Sequence, residues 1–179
     1  AVFRTIHLRH HGATNHPDRD PDFWVHGDNA ISTAARCMTI SLHYYWVAFS
    51  ELRKPTSAMR RAARPALLGL FAQTALVVAL FSLGLGAEAL ALWLIPGLVA
   101  SGMLAFLFDW LPHHPHSTRG RGVDTRLILL PGLAVPMLNQ HLHLVHHLYP
   151  RVPFYRYGVL YREISQELRD APVLGRRPA

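Results

Sequence analysis

The sequence is short of the groups that most enzymatic frameworks rely on. It has one cysteine, Cys37, in 179 residues, which rules out a disulfide framework and a thiolate-held zinc or iron–sulfur centre. Lysine is nearly missing: Lys54 stands alone, and the rest of the 18 basic residues are arginines. No nucleophile elbow, P-loop or dinucleotide fingerprint occurs, so hydrolytic and nucleotide-dependent chemistry has no support. Nor is there a low-complexity tract. Charge is the most telling absence, because between Pro65 and Phe108 the one ionisable side chain of either sign is Glu88.

That gap divides into two uncharged runs, Ala66–Gly84 of 19 residues and Ala89–Phe108 of 20. At about 1.5 Å per helical residue, each is long enough to cross roughly 30 Å of hydrocarbon. The segment from Gly84 to Glu88 reads as the turn of a transmembrane hairpin at about 66–108. A buried soluble helix is the plainer reading of one such run, but uncharged runs rarely come in pairs. The formal charge of +7 alone would suit nucleic acid or an anionic membrane surface. Its distribution decides for the membrane, since Arg53, Lys54, Arg60, Arg61 and Arg64 precede the hairpin, Arg119, Arg121 and Arg126 follow it, and the turn has none. The positive-inside rule then places both outer ends in the cytoplasm, with no nucleic acid as partner.

The remaining segments are less regular. Ile31–Phe49 is apolar but interrupted by Arg36 and His43, and Tyr44, Tyr45 and Trp46 are interface-type residues, so it reads as an interfacial or partly embedded helix. Residues 12–29 read as a polar loop. Leu127–Leu138, broken by Pro131, Gly132 and Pro136, reads as a short or re-entrant element. A short charged helix is expected from Glu163 to Asp170, followed by a frayed tail. The fold class is therefore all-α: an integral-membrane, multi-pass helical bundle with a transmembrane hairpin and a cytoplasmic histidine-rich face, in a single domain over 1–179. The chain opens at Ala1 with neither methionine nor leader, which suggests the C-terminal portion of a longer protein.

Thirteen histidines stand out against this background. His7, His10 and His11 form an HxxHH pattern, and His143, His146 and His147 repeat it. On a helix, positions i, i+3 and i+4 share a face, so each copy can aim three imidazoles at one point. The hairpin brings both copies to the same side of the membrane. A third group, His113, His114 and His116, lies where the second span ends; His113 and His116 compete as further ligands, ahead of His114. An imidazole set without thiolates suits iron, zinc, copper or nickel rather than calcium or magnesium.

The plainer reading, interfacial or helix-capping histidines, fits one such residue but not nine clustered ones, which would repel on protonation. His16, His26 and His43 have no partners at ligand spacing and are not expected to bind metal. His141 would point away from the cluster on a helix, as an outer or structural residue, whereas Asn139 and Gln140 could hold a ligand's second ring nitrogen or a metal-bound water. Asp18, Asp20 and Asp22 mimic a calcium loop, but Phe23 and Asn29 stand where its glycine and terminal glutamate belong. They are expected to pair with arginines, cap a helix or support the first histidine cluster. A membrane metal transporter would carry ionisable groups inside its spans, and these two runs have none.

The stretches HLRHHGATNHPDRDPDFW, DWLPHHPH and NQHLHLVHHLYPRVPFYRY together resemble the integral-membrane fatty acid desaturase superfamily, which includes desaturase-like carotene hydroxylases and ketolases. The resemblance implies two iron ions held by histidine boxes, dioxygen as co-substrate, a membrane lipid or carotenoid substrate, and electrons from ferredoxin or a cytochrome b5-type donor. His7, His10 and His11 match the second box, and His143, His146 and His147 the third. Asp109 and His113 have the spacing of a further polar and histidine pair found in some members, with Pro112 expected to interrupt the helix between them. The first box is expected upstream of Ala1, so the di-iron centre would be incomplete and these residues alone inactive. Acyl desaturation is the first expectation and carotenoid hydroxylation the alternative. Phe154, Tyr155 and Tyr157 could line the substrate entry or anchor the interface. The arginine-rich face suits an acidic electron donor, although it serves equally to set topology.

Overall fold

The computed structural model describes residues 2–53 and 58–175. Lys54, counted above among the flanking charges, and the tail beyond Gly175 lie outside these described residues. Helix α1, Val2–Ala13, carries the first histidine pattern. The loop after it contains one 3-10 turn, Pro21–Val25, capped by Asp20. The apolar segment that follows is two helices rather than one: α2, Ala30–Met38, and α3, Ile40–Glu51. Asn29 starts α2 with a reciprocal capping box, its side chain accepting from the Ser32 N–H at 2.9 Å while Ser32 Oγ accepts from the Asn29 N–H at 3.1 Å. Thr39, at φ −102° and ψ 6°, breaks the chain between the two helices.

Helix α4 spans Ala58–Ser82, and α5 runs from Gly86 to His113. The hairpin turn is thus tighter than expected, with Gly84 at φ +78°, a conformation that glycine adopts without strain. Pro112 does not interrupt α5, contrary to the sequence expectation. Two wide turns, Leu90–Leu94 and Ala105–Trp110, precede Pro96 and Pro112, and in them Ile95 and Leu111 donate five residues back, to Leu90 O and Phe106 O. A regular α-helix would press each proline ring on the carbonyl four residues earlier; the wider turn relieves that clash, so the helix continues to His113. Both helices are long and apolar enough to cross a membrane, and within the chain 0% of the first apolar window and 11% of the second is buried. Such exposed apolar surface calls for a non-aqueous surround.

The fold is helical but not purely so. Leu127–Leu129 forms β1, which pairs in parallel with β2, Val173–Gly175, placing Leu127 opposite Val173. The expected re-entrant element is therefore a buried edge followed by exposed turns, and the start of the expected frayed tail is a strand. The charged helix also lies earlier than expected, as α7, Tyr157–Ile164, with turns after it. Helix α6, His143–Leu148, carries the second histidine pattern. Leu127, Leu142, Leu144, Val145, Tyr157, Ile164 and Leu168 form the core that holds α6 and α7 against the strands. A second core, Val25, Cys37, Ile40 and Ala105, ties the 3-10 turn, α2 and α3 to α5. The first core fixes α6 and the second fixes the end of α5 and the 3-10 turn, to which α1 is tied by the His10–Asp20 hydrogen bond, so the three helices meet around one point.

Candidate metal centre

Two sets of imidazoles converge there. His7, His11 and His146 form one set and His10, His113 and His147 the other, the candidate ligand nitrogens of each lying within 4.8 Å of one another. In the first, His7 Nε2 and His11 Nε2 each stand 2.9 Å from His146 Nε2, and 3.1 Å from each other. In the second, His10 Nε2 is 3.3 Å from His147 Nε2, and the His113 ring centroid lies 4.7 Å from that of His10 and 4.9 Å from that of His147. His143 sits between the sets, its ring 5.3 Å from His146 and 4.9 Å from His147.

The opposite edges of five of these rings face partners. His10 Nδ1 donates to Asp20 Oδ1 at 2.9 Å, with Asp22 Oδ2 at 3.5 Å. His113 Nδ1 donates to the backbone carbonyl of Asp124 at 3.2 Å, and His143 Nδ1 to Gln140 Oε1 at 3.2 Å. His146 Nδ1 lies 2.8 Å from the Tyr157 hydroxyl, and His147 Nδ1 3.7 Å from Asp124 Oδ2. A carbonyl or carboxylate at Nδ1 fixes the proton there and leaves a bare lone pair on Nε2. His113 Nε2 is buried with no hydrogen-bond partner among the described residues.

Electrostatics point the same way. Burial, reinforced by neighbouring imidazoles, pushes His7 and His146 down to about 4 and His11 to about 3. Burial holds His143 and His147 well below the usual range as well. These rings are neutral near pH 7, the form in which imidazole binds metal. His10 behaves differently: burial opposes its charge, but the Asp20 hydrogen bond and the charges of Asp22, Asp20 and Asp109 outweigh it and push His10 up to about 9. The carboxylates thus favour positive charge at this point, and a metal cation on Nε2 would satisfy them with the ring neutral.

The donor set fits a transition metal. Imidazole–metal bonds are about 2.1 Å long, so nitrogens that share one ion lie within about 4.2 Å of each other, and the closest nitrogens here stand 2.9–3.3 Å apart. Cys37 lies in the second core and offers no thiolate to the set.

Other histidines fall elsewhere. His116, at φ +63°, lies outside both sets; its ring sits 5.2 Å from His26 and 6.0 Å from Phe23, with both ring nitrogens buried and unpartnered among the described residues. His114 packs on Trp110 at 4.6 Å. His43 stacks on Trp24 at 4.5 Å and lies 3.1 Å from the carbonyl of Pro21, while His16 Nδ1 accepts the Asp18 N–H. His141 is half-buried and in neither set. Asn139 takes a left-handed φ of 60° and forms no hydrogen bond to a histidine among the described residues. Asp20 caps the 3-10 turn and also supports His10. Sequence reasoning did not find Tyr157 or Asp124 as ring partners, since no spacing rule connects them to the histidines. Tyr157→Phe keeps the ring's packing and removes its hydroxyl from His146; metal affinity is expected to fall about tenfold with the fold intact, measured by chelator competition alongside circular dichroism.

Two long apolar helices leading to an imidazole-lined site able to hold metal define a class of membrane-associated, histidine-rich helical proteins. Within it, this chain belongs to the fatty acid desaturase family, whose sequence model matches residues 1–176. The family supplies a desaturase-type oxidoreductase with a lipid substrate and membrane association. No curated protein and no solved structure matches the chain.

Proposed function

We propose that this chain is a single desaturase-like domain, 1–179, of a membrane di-iron oxidoreductase that introduces double bonds into acyl chains with dioxygen. The observation that carries this reading is the meeting of Nε2 atoms from two distant HxxHH patterns. His7, His11 and His146 would hold one iron and His10, His113 and His147 the other, with His143 between them and His116 outside. Bound iron would supply dioxygen activation and the cleavage of an alkyl C–H bond, which no side-chain acid or base achieves.

The protein's own residues do the positioning. Asp20, Gln140, Tyr157 and the Asp124 carbonyl orient the rings. Asp109, at the end of α5, lies close enough to His10 to act on it electrostatically. An apolar groove of about 520 Å³ between α3, α4 and α5, lined by Leu42, Leu70, Val77, Trp93 and Leu98, offers a long chain an approach through the bilayer. The arginine bias on both outer ends of the hairpin supports a cytoplasmic centre and suits an acidic ferredoxin or cytochrome b5-type donor.

The test is expression at full length in membranes supplied with iron and a donor system. Two irons per chain by elemental analysis, together with dioxygen-dependent unsaturated acyl chains by gas chromatography, are expected. Bound zinc without iron and no oxidised lipid would sink the proposal, and oxidised carotenoid without acyl product would move it to the hydroxylase branch.

A further inference from the structure

A cleft of about 590 Å³ opens beside the candidate metal centre. His11 and His147 line it, together with Arg19, Arg119 and Arg121. Asp124 is the single carboxylate of the lining, and its Oδ2 already faces His147. Among the described residues none of the three guanidinium groups pairs with a carboxylate. Three permanent positive charges therefore share one concave surface with a single carboxylate, Asp124, and among the described residues none of them is ion-paired to it.

The wall that carries two of them is firmly built. Asn15, 1% exposed, donates through its side-chain amide to the carbonyls of Thr118 and Asp124, both at 2.7 Å, tying the 118–124 loop to the end of α1. Arg119 Nε donates back to the Asn15 carbonyl at 3.2 Å. Thr118 Oγ1 closes the loop on the Val123 carbonyl at 2.7 Å. Gly120 and Gly122, at φ +117° and +85°, allow a turn that side-chain-bearing residues would strain, so Arg119 and Arg121 share one tight bend.

Guanidinium groups match the oxygens of a phosphate in geometry as well as charge. A volume of this size suits a small ligand or head group, for which about 300–1,000 Å³ is typical. A docked protein would instead need roughly 800 Å² of broad surface on each partner. We propose that Arg19, Arg119 and Arg121 form a phosphate site that holds the head group of the substrate beside the metal centre. This rests on the lipid-oxidising reading above and narrows it: the acyl chain is carried on a phosphate-bearing group, and a neutral carotenoid, which has nothing to place there, is disfavoured.

The test is calorimetric titration of the full chain in neutral detergent with dihexanoyl phosphatidic acid, inorganic pyrophosphate and dihexanoylglycerol. Phosphatidic acid is expected to bind and the neutral glyceride not to. The Arg119→Gln/Arg121→Gln double variant is expected to weaken binding at least tenfold, whereas Arg4→Gln/Arg162→Gln, which removes equal charge outside the cleft, leaves it unchanged. In the wild-type chain, phosphatidic acid is expected to shield Arg119 and Arg121 from phenylglyoxal, read by mass spectrometry. Pyrophosphate binding as tight as the lipid's would make this a free-phosphate site and overturn the head-group assignment. No phosphate binding, no shielding, or equal loss in both double variants would overturn the site itself. The measurement needs neither iron nor dioxygen, so a failed oxidation assay cannot produce these outcomes, and failed binding would remove only the choice of substrate.

Discussion

His146→Ala is expected to empty one of the two metal positions and take desaturation below detection. His146 Nε2 stands 2.9 Å from both His7 and His11, so it is the one ring through which α6 closes the set begun on α1. Outer partners of a metal ligand are worth about 10–100-fold in affinity, and a ligand itself exceeds that, so a loss of at least about a hundredfold is expected. Elemental analysis should show about one iron per chain in place of two. The fold should survive, because the core around α6 is built from Leu144 and Val145, both 0% exposed, rather than from the histidines. His16→Ala is the control, since His16 lies outside both sets, and it should retain full iron. Full iron in His146→Ala would refute the ligand assignment.

Asp20→Asn is expected to damage both the site and the fold. The Asp20 carboxylate accepts three hydrogen bonds: from His10 Nδ1 at 2.9 Å, from the Asn15 N–H at 2.7 Å and from the Asp22 N–H at 2.9 Å. An asparagine that keeps its oxygen on His10 and Asp22 turns its amide N–H₂ toward the Asn15 N–H, leaving a buried donor facing a donor. Such a mismatch costs about 2–3 kcal/mol. The neutral side chain also withdraws the charge that orients His10 and raises its basicity, so metal affinity is expected to fall toward the hundredfold end of the range for outer partners. Thermal unfolding and chelator competition measure the two effects separately. Unchanged metal affinity in a destabilised variant would reduce Asp20 to a structural cap.

The two HxxHH patterns were legible in the sequence because helical periodicity is local: three residues at i, i+3 and i+4 share a face whatever the rest of the chain does. The apolar runs were legible for a similar reason, since length and lack of charge settle whether a helix can cross a bilayer. Pro112 was misread because the i−5 bonds that accommodate it depend on how the whole of α5 lies against α2 and the 3-10 turn, and no composition rule announces them. The strands were missed because Leu127 and Val173 pair across a connection that includes α6 and α7, and three residues each are too few to show a period. Splitting Ile31–Phe49 at Thr39 was also out of reach, because neither glycine nor proline marks the break.

By itself, the sequence determined the chemistry available: imidazoles in two helical triplets, no thiolates, a hairpin of two uncharged runs and arginine on its outer ends. Only the tertiary structure decided how those imidazoles divide. His7 meets His146 across 139 positions, and His113, rather than His116, joins His10 and His147. The physical reason is that a histidine binds metal through one nitrogen and is aimed through the other. The aiming groups, Asp20, the Asp124 carbonyl, Gln140 and Tyr157, come from loops and helices that only packing brings to the rings.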